Sequence, residues 1–364
     1  MIIQAKGAVT EEQLLDDVWL EISEDLIISI SPGVHPSPDK IVDGILIPGF
    51  IDIHCHGGGG HYFSASSPDA IAKAIYAHKK TGTTSLVASL VTEKISDLKA
   101  QIDRLVPFYE RGEIVGIHLE GPFLSHARCG AHEPNLLIEP SVSLLEELID
   151  VGQGSIKMVT IAPELNGAIE SIDYLRSVGV LVAIGHTEAS SAEASVATNQ
   201  GASIVTHFLN AMNKEESEES IAGYVLGEPR LSIELIVDGH HLSFEKVRQL
   251  FASVPSRIFL VSDAMAAAGN GDGKYLIGAL PVDVKNGVAR LESNQKLAGS
   301  TLTISQAFKN LISECGVSLQ QAVHATSTQP AKAFGLKDRG GIAVGMRSDL
   351  LSYDSATQSV TVIS

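Results

Sequence analysis

Apolar residues recur along the chain with two different periods, and the change of period divides the sequence. Up to residue 47, the segments VWLEIS, LIISIS and DGILI read as short strands, and SPGVHPSPD puts proline and glycine where elements must stop. From residue 48 onward, apolar runs rich in β-branched residues are separated by longer stretches with helical spacing, as in buried parallel strands joined by crossover helices. Eight such runs follow one another: GFIDIHCH, TTSLVASL, EIVGIHLE, IKMVTIAPE, VLVAIGHT, SIVTHFLN, SIELIVDG and RIFLVSDA. Between them, PDAIAKAIYAHKKTG and ISDLKAQIDRLVPFYERG are examples of the helical stretches. Eight strand–helix units close a (β/α)8 barrel, whereas an open doubly wound sheet needs fewer. Residues 272–298 interrupt the rhythm as an inserted hairpin region with Asn286-Gly287 at its turn, and the tail after Phe334 returns to strands. The expected fold class is therefore α/β: a TIM-type barrel over 48–335, with a small β-sandwich domain built from both termini, 1–47 and 336–364.

Composition narrows the function classes. With 26 Lys+Arg against 43 Asp+Glu the formal net charge is −17, which repels phosphate backbones and anionic lipid, so neither nucleic acid nor a membrane is the expected partner. Cys55, Cys129 and Cys315 are scattered and odd in number, with no CxxC pair, which argues against a disulfide framework or a zinc knuckle. The segment MIIQAKGAVTEEQ has no basic stretch followed by an apolar core, and the expectation is a cytoplasmic protein.

Candidate chemistry gathers where the runs end, the rim on which barrel enzymes build their sites. His54 and His56 close the first run, and a spacing of two on a strand puts both imidazoles on one face. A lone H-x-H pair is a weak signal; its position at a strand end strengthens it. Glu120 ends the third run at Gly121-Pro122, His186 ends the fifth, and His207 lies in the sixth. Four imidazoles and one carboxylate suit a divalent transition metal, Zn²⁺ first, with Fe²⁺, Mn²⁺ or Co²⁺ as alternatives. Asp263 closes the eighth run, where a carboxylate can take a proton from an activated water and return it to a leaving amine.

Those residues stand in recognisable surroundings. PGFIDIHCHGGGG, HLEGPF, GAHEPN, GHTEAS, THFLNAMN, VDGHHL, SDAMAAAG and LAGSTLT, in that order and over nearly the whole chain, resemble the N-acetylglucosamine-6-phosphate deacetylase family of the amidohydrolase superfamily. The resemblance implies hydrolysis of N-acetylglucosamine 6-phosphate to glucosamine 6-phosphate and acetate in amino-sugar catabolism. N-acetylgalactosamine 6-phosphate and an unphosphorylated N-acetyl sugar are the alternative substrates, and a catalytically inactive scaffold is the remaining reading. The resemblance also implies that Glu120, His186 and His207 hold the principal metal, that His54 and His56 offer a second site sharing Glu120, and that Asp263 is the catalytic acid and base. Ala131 and His132 would meet the scissile amide, with His132 stabilising the oxyanion. Asn210, Ala211, Leu297, Ala298 and Gly299 would contact the sugar, His241 the phosphate, and the enzyme would be a homodimer. One departure stands out: the family commonly has an arginine after the NAM motif that grips the 6-phosphate, whereas NAMNKEESEESIAG has none, leaving Lys214 or Arg230 as candidates.

Overall fold

Four strands open the chain in the computed structural model, which describes residues 1–363: β1 (Ile2–Val9), β2 (Leu14–Ser23), β3 (Leu26–Pro32) and β4 (Lys40–Pro48). In β2, Val18, Leu20 and Ile22 are buried while the residues between them are not, so one face of the sheet is apolar and must be covered. Its cover is a separate small core shared with Ile3, Ile27, Leu46, Ile342 and Leu350.

The barrel strands follow: β5 (Phe50–Cys55), β6 (Thr83–Val91), β7 (Gly116–Glu120), β8 (Ile156–Ile161), β9 (Leu181–Ile184), β10 (Ile204–Val205), β11 (Ser232–Leu235) and β12 (Ile258–Leu260). They pair in parallel and in chain order, one sheet of eight. Every residue of β5 and β7 is buried, as strands with helices on one side and barrel interior on the other require. The barrel closes through an isolated parallel bridge between Cys55 and Ala264. Around it, the His56 N–H donates to the Ala264 carbonyl at 2.8 Å and the Asp263 N–H to the His54 carbonyl at 2.9 Å. The seam of the barrel therefore runs through three of the candidate site residues.

Helices α1 (Pro68–Lys79), α2 (Ile95–Glu110), α3 (Val142–Gly152), α4 (Ala168–Ser177), α5 (Ser191–Gln200), α6 (Ile221–Gly227), α7 (Phe244–Ser253) and α8 (Ile304–Ser313) lie along the chain after successive strands. Local chemistry sets their starts; α5, for example, opens on a capping box between Ser190 and Glu193.

Residues 273–291 correct one expectation. In place of a hairpin they form a three-stranded antiparallel meander, β13 (Gly273–Ile277), β14 (Leu280–Lys285) and β15 (Val288–Leu291). Asn286 and Gly287 make its second turn at φ 51° and 73°, the doubly positive pair a two-residue hairpin turn requires. The meander has its own small core around Val282, Val284, Leu291 and Ala298. At the chain end β16 (Leu350–Asp354) and β17 (Ser359–Val362) join the first sheet, giving the six-strand order β17-β16-β4-β1-β2-β3. The small β domain is thus built from both ends of the chain; Ser364 lies outside the described residues. No helix among the described residues is long and apolar enough to cross a membrane.

Candidate metal centre and active site

Every strand that carries a candidate residue delivers it at its C-terminal end or just beyond. His54 is the penultimate residue of β5 and Glu120 the last of β7, while His186, His207 and Asp263 follow β9, β10 and β12 by two or three positions. Those last three leave the strand conformation, with φ of 49°, 29° and 46°, as do Leu209 at 66° and Ala211 at 49°. Positive φ costs a residue with a Cβ about 1 kcal/mol or more, and it persists only where the surroundings hold it. Here the Asp263 N–H is held by the His54 carbonyl, and the His207 N–H donates to Glu234 Oε2 at 3.1 Å. Gly121, at φ 94°, lets the chain turn away directly after Glu120, where a Cβ would stand 2.2 Å from Thr92 Oγ1.

Glu120 is the hub of the arrangement. Its Oε1 lies 3.0 Å from His207 Nε2, 3.2 Å from His186 Nε2 and 3.4 Å from His54 Nε2. Its Oε2 lies 3.2 Å from His56 Nε2 and 3.4 Å from His132 Nε2. His186 and His207 approach each other at 3.0 Å between Nε2 atoms, and His54 and His56 at 3.2 Å. Asp263 Oδ1 stands 3.3 Å from His56 Nε2 and 3.7 Å from that of His54. Two groups of potential ligand atoms result, His54/His56/Glu120 and Glu120/His186/His207, both buried.

Whether these donors fit a cation is decided by their second nitrogens. A carbonyl oxygen can only accept, so His186 Nδ1, 2.8 Å from the Arg128 carbonyl, carries the proton and leaves the Nε2 lone pair facing Glu120 and His207. His54 Nδ1 likewise donates to Glu234 Oε2 at 3.0 Å. Metal-binding histidines characteristically make such a bond with the nitrogen that does not bind. Spacings of about 3.0 to 3.4 Å are those of atoms sharing one ion at bonds of about 2.1 Å. The donor set fits divalent zinc or a first-row neighbour. A third group, Asp52, Cys55 and His78, has hydrogen bonds outside the group at two of its members: Asp52 Oδ2 accepts from the Ser262 hydroxyl at 2.5 Å, and His78 Nε2 lies 2.8 Å from the Gly57 carbonyl.

The charge balance follows from the packing. Burial alone would raise the Glu120 carboxyl, but the imidazoles packed around it, His54 foremost and then His132, His186 and His207, outweigh it and hold it well below the usual carboxylate range. Burial also opposes ionisation of Asp263, and contacts with His56 and His54 again win, keeping it an anion. Opposite signs meet at His132, where burial, resisted by Glu120, pushes the imidazole down to about 4. The Thr92 N–H donates to His132 Nδ1 at 3.3 Å, so the neutral ring carries its proton on Nε2. His132 is a neutral hydrogen-bond donor.

These groups line the inner end of a cavity of about 430 Å³, within the range of small-ligand sites. Ala131, Asn210, Ala211, His241, Leu297 and Gly299 line it further out, and His241 is oriented by Asp238 Oδ2 at 2.7 Å from its Nδ1. His54 lies beneath the lining, fully buried. Ala298 does not line the cavity: its neighbours on either side do, and its own side chain packs into the meander core. Arg230 is also elsewhere, bound to Glu228 at 2.8 Å and Asn199 at 3.0 Å. Lys214 reaches the cavity, and so does Lys296, which sequence reasoning passed over; neither has a carboxylate partner among the described residues. Arg128 lines the cavity too, paired with Glu188 at 2.7 Å. Glu234, also missed, had a signal of its own in SIEL, a lone charge between apolar strand residues.

A (β/α)8 barrel with histidines and acids converging at its C-terminal rim defines a class of metal-dependent hydrolases, and this chain belongs to the Amidohydrolase family, whose model matches residues 45–363. Within it, the chain is 33% identical over 97% of its length, and 95% of the relative's, to an N-acetylgalactosamine-6-phosphate deacetylase of Escherichia coli O157:H7. It is 31% identical, over 100% of its length and 95% of the relative's, to the N-acetylglucosamine-6-phosphate deacetylase of Bacillus subtilis. Among solved structures it is similar to a mutant N-acetyl-D-glucosamine-6-phosphate deacetylase from Mycobacterium smegmatis in complex with N-acetyl-D-glucosamine-6-phosphate, with a TM-score of 0.95, 40% identity, and coverage of 99% of this chain and 96% of that one.

Proposed function

We propose that the protein hydrolyses the acetamide of N-acetylglucosamine 6-phosphate, releasing acetate and glucosamine 6-phosphate. The observation that carries this reading is the meeting of Glu120, the ring nitrogens around it and Asp263 at the inner end of a cavity whose outer end holds two lysines without a carboxylate partner among the described residues. Glu120, His186 and His207 would hold one divalent ion and His54, His56 and Glu120 a second, zinc before iron, manganese or cobalt; such an ion acidifies water and polarises the amide carbonyl.

The chain's own groups do the rest. Asp263, ionised and beside His56, removes the proton of the attacking water and later delivers it to the departing amine. The Nε2–H of His132 donates to the carbonyl oxygen as negative charge develops on it, a task a neutral donor performs without titrating near neutral pH. Asn210, Ala211, Leu297 and Gly299 bracket the sugar, and His241, Lys214 and Lys296 take the phosphate in place of an arginine.

The lysine assignment predicts a divided effect. Lys214→Ala and Lys296→Ala should each raise KM for the phosphorylated sugar about tenfold, as losing about 1.4 kcal/mol of charge-assisted binding does. KM for free N-acetylglucosamine should stay within twofold of wild type; equal losses on both sugars would remove the lysines from phosphate binding.

The parent reading is tested by steady-state turnover of N-acetylglucosamine and N-acetylgalactosamine, each with and without the 6-phosphate, before and after chelation. The phosphorylated sugar should be strongly preferred, and activity should vanish on chelation and return with zinc. The E. coli relative favours the galacto sugar as the second reading, and a higher kcat/KM for N-acetylgalactosamine 6-phosphate would establish it. Equal turnover of phosphorylated and free sugars would overturn both.

A further inference from the structure

Among the described residues, Glu234 is the one acid of the barrel interior that touches both groups of potential metal ligands without belonging to either. It sits on β11 with no exposed surface. A single oxygen, Oε2, accepts from His54 Nδ1 at 3.0 Å and from the His207 backbone N–H at 3.1 Å. Its other oxygen, Oε1, has no hydrogen-bond partner among the described residues. A buried carboxylate with one oxygen unsatisfied is expensive, and two neutral acceptors could have served the same N–H groups at lower cost.

We infer that Glu234 is a positioning residue that couples the two metal sites, one of its oxygens orienting a ligand of each. At His54 the bond fixes the tautomer: with the proton on Nδ1, the Nε2 lone pair faces His56 and Glu120, and the carboxylate charge makes that nitrogen more basic. At His207 the bond acts on the backbone. That residue stands at φ 29°, and its anchored N–H holds the turn that brings Nε2 to within 3.0 Å of both His186 Nε2 and Glu120 Oε1. The two bonded residues follow or belong to different strands, β10 and β5, so Glu234 sets the distance between the sites as well as the direction of each ligand.

The inference rests on the metal-centre reading above, and its test separates the two. Metal-free protein, prepared by chelation, is titrated with Zn²⁺ against a chromophoric chelator. Wild type should take up two ions per chain. Glu234→Gln keeps an oxygen that can accept both N–H groups and removes only the charge. It should keep the wild-type circular dichroism and melting temperature and lose about 10–100-fold in affinity at one site. Glu234→Ala removes the acceptor as well and should weaken both sites. Wild-type protein that binds no zinc overturns the metal-centre reading and this inference together. Zinc-binding wild type with an unaltered Glu234→Gln variant overturns the inference alone. Should the variants fail to fold, ring ¹⁵N resonances of the zinc-loaded wild type decide: His54 protonated on Nδ1 supports the role, and His54 protonated on Nε2 removes it.

Discussion

Asp263→Asn is expected to lower kcat on the order of 10³-fold while leaving the metal content of the protein unchanged. The substitution keeps the shape and an oxygen that can face His56, 3.3 Å away in the wild type, so little in the ligand geometry changes. What disappears is the capacity to take a proton. No other group in the cavity can replace it: Glu120 and Asp263 are the two carboxylates in the lining, and Glu120 is already surrounded by five imidazole nitrogens. His132 is no substitute base either, because its Nδ1 accepts the Thr92 N–H and its Nε2 already bears a proton. Elemental analysis beside steady-state kinetics makes the check, and turnover within tenfold of wild type would take Asp263 out of the proton path.

The barrel was legible because its strands are buried on both faces, which makes each an uninterrupted apolar run rather than an alternation. Strand ends were legible from the turn residues that close each run: His54, Glu120 and Asp263 stand at or just beyond those ends, although the buried polar residues Asp52, His118 and Ser262 precede them. The meander was harder to read, because β13 alternates half-buried and exposed positions, with Ile277 its single buried residue, and its first residues look like loop. Glu234 was invisible as a partner because its counterpart His54 lies 180 residues away and only closure of the barrel brings them together. Of the three neighbours expected to contact the sugar, Leu297 and Gly299 line the cavity while Ala298 packs into the meander core, a division that three adjacent letters do not reveal. Lys296 carried no signal of its own because it stands far from the NAM motif in sequence, and only the fold returns its segment to the same rim as Lys214.

Glu120→Gln makes the same chemical change as Asp263→Asn, carboxylate to amide, and should behave differently. Glu120 supplies the only negative charge common to both ligand groups, and without it His54 and His56 on one side, and His186 and His207 on the other, would have to bind a dication through neutral nitrogens alone. Zinc affinity should fall at both sites at once. With the ions gone, several kcal/mol of transition-state stabilisation go with them, and kcat/KM should drop on the order of 10⁴-fold. Excess zinc should recover part of that loss, whereas it should recover nothing in Asp263→Asn, where metal was never missing. If Glu120→Gln instead retained two ions and lost turnover alone, Glu120 would be part of the proton path and the shared ligand would have to be sought elsewhere. Three amide substitutions around one candidate metal centre thus separate three roles: moving a proton at Asp263, holding both ions at Glu120, and aiming a ligand at Glu234. A purely structural part for any of them would change the melting temperature of the metal-free chain before it changed metal affinity or turnover.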